Sequence, residues 1–111
     1  MMKFYRQIMA LINNFVILQR YNIKLSMPEI SRFFGIIIAM FTDDHNPPHF
    51  HVRYGDYQAI VTIKDGIVKG ELPKHVLKQV FQWMEEHEQE LIDNWQRLQN
   101  GEQARKIESL S

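Results

Sequence analysis

The hydrophobic period of this chain changes once, near Pro73, and that change sets its fold class. Before Pro73 the apolar residues alternate or run together; after it they recur at spacings of three and four. Alternation belongs to strands and the 3.6-residue period to helices. Strands first and helices second predict one α+β domain over residues 27 to 111. Its simplest form is a four-stranded antiparallel meander followed by one long or two shorter C-terminal helices.

The strand half divides at its turn residues. The run ISRFFGIIIAMF, 30 to 41, is nearly all apolar and predicts a strand at about 33 to 41, buried on both faces and central in its sheet. The two prolines of TDDHNPP cannot donate to a ladder, and Asn46 before Pro47 is pushed out of the helical region, so this segment is a stiff loop. HFHVRY, 49 to 54, alternates: His49, His51 and Arg53 point one way, Phe50, Val52 and Tyr54 the other. Gly55-Asp56 turns the chain into YQAIVTI, where Tyr57, Ala59, Val61 and Ile63 share a face. Lys64-Asp65-Gly66 carries the Asp-Gly hairpin signature and leads into a short strand from Ile67 to about Glu71.

Pro73 suits the first turn of a helix. From there Leu77, Phe81, Met84, Leu91, Trp95 and Leu98 form an apolar stripe interrupted at Glu88, which places any break near His87. Asn100-Gly101 is the expected stop. Trp83 lies off that stripe, and packs on the sheet edge or marks a partner surface. The acidic run EEHEQELID, 85 to 93, reads as the solvated face of the helix. The tail KIESLS offers Ile107 and Leu110 as an edge strand or strap.

Charge and composition exclude several classes. There are no cysteines, so disulfides and thiolate zinc sites are ruled out, which suits a reducing compartment and a cytoplasmic protein. Residues 1 to 26 hold Lys3, Arg6, Arg20 and Lys24 with no acid, while residues 27 to 111 hold nine basic and thirteen acidic residues. A domain at −4 is no general nucleic-acid binder; RNA would need a local site. IMALINNFVIL is eleven residues long and broken by Asn13 and Asn14, too short for a membrane span. No glycine-rich phosphate loop and no complete nucleophilic triad is present.

Polar chemistry concentrates in DDHNPPHFHVRY, 43 to 54. His49, His51 and Arg53 are the candidate catalytic residues. Asp44, His45 and Asn46, on the stiff loop before them, are the candidate binding residues. Three readings compete. His-x-His on a strand points two imidazoles the same way, and His45 or Asp44 could close a facial set for zinc, iron or nickel. Arg53 could instead hold a phosphate or RNA while a histidine handles a proton near neutral pH. In the third reading the histidines cap loop backbone and fill a half-exposed sheet face. The expectation is a domain without a cofactor; the alternative is a divalent transition metal held by His45, His49 and His51.

These residues also carry a resemblance. The Met27-Pro28 start, the His45-Asn46-Pro47-Pro48-His49-Phe50-His51 block, Leu72-Pro73 before the helix, Asn94-Trp95 and Lys106-Ile107 resemble the small bacterial domain-of-unknown-function family 4160 over residues 27 to 110. Residues 1 to 26 then form an N-terminal extension outside the family pattern, read as a translated upstream stretch or, alternatively, as a real addition that packs a short amphipathic helix on the domain. The resemblance implies no particular reaction. It does imply a small partner protein encoded by an adjacent gene, as in a toxin–antitoxin-like two-protein module. A small RNA-cleaving or metal-dependent enzyme using His45 to Arg53, or a metal-binding accessory module, is the alternative.

Overall fold

A computed structural model of the protein describes residues 29–42 and 44–111. The extension at residues 1 to 26 lies outside the described residues. Five strands, β1 (Glu29–Phe33), β2 (Ile36–Ala39), β3 (His49–Tyr54), β4 (Tyr57–Thr62) and β5 (Val68–Glu71), precede two helices, α1 (Lys74–Glu86) and α2 (Glu88–Gln99). The strands form one antiparallel sheet in sequence order, so the meander is right and its strand count is five, not four.

The extra strand comes from a turn inside the apolar run. Instead of one strand over 33 to 41, Phe34 and Gly35 reverse the chain with φ of 50° and 79°. Positive φ at both central residues is the two-residue hairpin geometry that matches strand twist. Phenylalanine seldom occupies this region, because its Cβ crowds the backbone. In FFG only Gly35 is a turn residue, and β2 is the interior strand paired with β1 and β3. The turns at Gly55-Asp56 and before β5 fall where the sequence placed them, with Tyr54 opposite Tyr57 and Gly66 donating to the Thr62 carbonyl at 3.1 Å.

The core lies between one sheet face and the helices. Ile36, Ile38, Phe50, Val52, Ala59, Val61 and Ile63 project to it from the strands. Tyr57, assigned to the same side, is largely exposed because it stands at the hairpin end. The helices are two, broken at His87, whose N–H bonds back to the Trp83 and Met84 carbonyls. In α2 the buried set is Leu91, Asn94, Trp95 and Leu98. In α1 it is Val76, Val80 and Trp83; Leu77, Phe81 and Met84 are only partly buried. The buried stripe of α1 therefore lies one residue before the expected Leu77, Phe81 and Met84, while Leu91, Trp95 and Leu98 of α2 are buried as expected. Trp83 is accordingly neither an edge nor a surface residue: it is fully buried, with ring centroids 5.5 Å from Phe33 and 5.9 Å from Phe50.

The tail is a strap. The Ile107 N–H bonds the Ile30 carbonyl at 2.7 Å, along the outer edge of β1. Trp83 Nε1 donates to the Glu108 carbonyl at 2.8 Å, and Ile107 and Leu110 are buried. Asn94 fixes the approach by bonding both the N–H and the carbonyl of Arg105 at 2.8 Å. Covering an edge strand this way shields its backbone from pairing with another chain. Among the described residues no helix is long and apolar enough to cross a membrane.

Candidate functional site

On the second sheet face Arg53, Gln58, Lys69 and Glu71 are exposed and Ile37, His51 and Ile60 half-buried among the described residues. Register places Ile37, Arg53, Gln58 and Glu71 in one row across it, and Ala39, His51, Ile60 and Lys69 in the next. At the end of this face, where β2 passes into β3, the loop from Asp44 to Pro48 folds back over the first residue of β3. The Asn46–Pro47 peptide is cis. The Ile63 N–H bonds the Pro48 carbonyl at 3.0 Å, tying the loop to the end of β4. From the other side Gln99 of α2 donates to the Asp44 carbonyl at 3.0 Å, and Trp95 stacks 5.2 Å from the His49 ring.

This scaffold converges three side chains. Asp44 Oδ2 lies 2.8 Å from His49 Nε2 and 2.9 Å from His51 Nε2. His49 is 3% exposed, shut in under Trp95, whereas His51 is half-exposed and meets the edge of Phe41 at 4.4 Å. His45 stands outside with its Nδ1 3.3 Å from Asp44 Oδ1, largely exposed. Of the residues singled out from sequence, Asp44, His45, His49 and His51 come together. Arg53 lies further along β3 on the open face, and Asn46 is exposed in the loop. The third member of the close set is the Asp44 carboxylate, with His45 beside it.

The hydrogen bonds define the His49 tautomer. Its Nδ1 is 2.8 Å from the Pro47 carbonyl, which can only accept, so Nδ1 carries the proton. In the neutral ring Nε2 then presents a lone pair to a carboxylate oxygen. That contact runs off the ring's N–H axis, and His49 Nε2 has no aligned hydrogen-bond partner despite its burial. Two acceptors this close need a cation between or beside them.

A proton is one such cation. Burial alone would raise the Asp44 pKa, but close contact with the His49 and His51 rings and their positive charge outweigh it and hold the carboxyl well below its usual range. Burial alone would lower the His49 pKa; contact with Asp44 and the Pro47 carbonyl outweighs both burial and the repulsion of Lys69, and its pKa is raised.

A metal ion is the other. Asp44, His49 and His51 offer ligand atoms that all lie within 4.8 Å of one another. Two donors about 2.1 Å from an ion at right angles sit about 3.0 Å apart. Both Asp44–histidine separations are within about 0.2 Å of that value.

The family model described as Domain of unknown function (DUF4160) matches residues 35–96, more than half of the 111-residue chain. The chain belongs to this family. The match runs from the β1–β2 turn to the middle of α2 and takes in Asp44, His45, His49, His51, Arg53 and Trp95; the strap beyond Ile107 falls outside it. No curated protein and no solved structure matches the chain. The supporting role of Trp95 was missed from sequence, because its place in an apolar stripe explained it without the site. Lys69, two strands from His51, gave no local signal at all.

Proposed function

We propose that this domain binds a divalent transition metal through Asp44, His49 and His51, acting as a metal-binding module. The observation that carries the reading is the buried His49 Nε2. It is held in the ligating tautomer by the Pro47 carbonyl and aimed at Asp44 without an aligned hydrogen bond. A backbone carbonyl on the far ring nitrogen is the common support of a metal-bound histidine. Two imidazoles and one carboxylate are a donor set that suits zinc, iron or nickel and, as three protein ligands, would leave positions open to other ligands. Trp95 and Gln99 brace the loop, so the donors need little ordering on binding. The test is thermal unfolding of the chelator-treated protein with and without zinc or nickel. The wild type and Arg53→Ala gain several degrees on metal addition, and His49→Ala and Asp44→Asn gain none. An unshifted wild type overturns the reading.

A second reading, one component of a toxin–antitoxin-like two-protein module, draws on Phe34. Its side chain stands 59% exposed at a hairpin tip, in a backbone conformation that costs energy for a phenylalanine. A bulky apolar residue kept at such a place fits contact with a protein encoded by an adjacent gene. Co-purification of the two products, lost on Phe34→Asp, is the result that reading expects.

A further inference from the structure

We infer that the metal centre takes a phosphate-ester anion as its exogenous ligand, gripped from the open sheet face by Arg53 and Lys69. The inference rests on the metal reading above and deepens it. Three protein donors would leave coordination positions open, and half-exposed His51 stands on the strand face that also carries Arg53 and Lys69. Arg53 lies two residues along β3 on the same face, about 7 Å away, and Lys69 lies two strands across from His51, about 10 Å away. Neither cation forms an ion pair among the described residues. Arg32, in the row that contains Arg53, is neutralised by Glu29 at 2.6 Å, and Glu71 stands beyond Gln58 at the far edge.

With a dication bound, Asp44 is outweighed and the local field is positive, although residues 27 to 111 are acidic as a whole. The ligand that matches is an anion with several oxygens. One oxygen completes the metal shell, two meet the guanidinium fork, and the remaining charge faces the lysine. A phosphate group offers that many oxygens and a carboxylate does not. Ile37 and Ile60, half-buried between the charged positions, leave apolar surface for the ester's organic part.

The test titrates zinc- or nickel-loaded full-chain protein with three probes: inorganic phosphate, adenosine monophosphate and a short single-stranded oligoribonucleotide bearing a 5′-terminal phosphate. Metal uptake is measured first and separately, on wild type and on the Arg53→Ala/Lys69→Ala double variant. Both should load equally. Loaded wild type should bind phosphate at least tenfold more tightly than the metal-free form, and the double variant should lose about that factor. Tightest binding of the oligonucleotide assigns the ligand to a nucleic-acid strand, and tightest binding of the monophosphate assigns it to a small phosphorylated molecule. Normal metal loading with equal phosphate affinity in the loaded and metal-free forms, or in wild type and double variant, overturns this inference alone. Absence of metal uptake overturns the metal reading and this inference with it.

Discussion

Replacing Asp44 by asparagine keeps the shape of the loop and removes the charge that the two histidines face. In the metal-free protein the wild-type carboxylate accepts one aligned, charge-assisted hydrogen bond, from His51, and a second close but misaligned contact from His49. A hydrogen bond to a charged group contributes about 1.5–3 kcal/mol, so Asp44→Asn should cost about 2 kcal/mol near pH 6. For a domain of this size that lowers the melting temperature by roughly 8 °C. The cost must also depend on pH. The Asp44 pKa is depressed, so its contribution is present above the ordinary value of 3.8 and lost as pH falls through the folded value. The His49 pKa is raised, so its contribution is complete below 6.5 and lost as pH rises through the folded value. The wild-type advantage is therefore largest between about pH 4.5 and 6.5 and shrinks at pH 9, where neutral His49 turns a lone pair toward the carboxylate. The assay is thermal unfolding of both proteins in chelator across that range. A difference that stays constant from pH 5 to pH 9, or melting within a degree at pH 6, would refute the charge argument.

Two further outcomes test the frame that holds the site. Trp83→Ala removes a fully buried indole and leaves the Glu108 carbonyl without its donor, so it should destabilise the protein by about 3–5 kcal/mol in urea unfolding; a loss under 1 kcal/mol would show that the strap and sheet do not meet across this ring. Phe34→Gly relieves a positive φ that is unfavourable for phenylalanine, and should raise stability by roughly 1 kcal/mol; a clear drop would mean that the Phe34 ring, 6.3 Å from Phe33, packs more than its exposure indicates.

The order of elements was legible because each carries its period: strand alternation in HFHVRY and YQAIVTI, the Asp-Gly turn, and the helix stop at Asn100-Gly101. Two features were not legible, for separate reasons. The β1–β2 hairpin turns on a phenylalanine in a region that side chains avoid, so no turn residue marked it except Gly35. The facing of α1 was not legible because two adjacent apolar stripes, Val76-Val80-Trp83 and Leu77-Phe81-Met84, both have helical spacing, and periodicity alone fits either phase. The site was legible as far as local spacing reaches. Asp44, His45, His49 and His51 lie within eight residues, and a stiff loop before a strand must bring some of them together. Which oxygen and which nitrogens converge was not legible. That depends on Gln99 and Trp95 reaching the loop from fifty residues away, and on the Pro47 carbonyl choosing the His49 tautomer.

The claim that Asp44, His49 and His51 form a metal centre is tested most directly by stoichiometry. Untagged full-length protein, stripped with chelator and dialysed against buffered micromolar zinc or nickel at pH 7.5, should retain about one equivalent of metal by elemental analysis. His49→Ala, assayed in parallel and verified as folded by circular dichroism, should retain almost none. Less than a tenth of an equivalent in the wild type, or equal retention in the two proteins, would contradict the account.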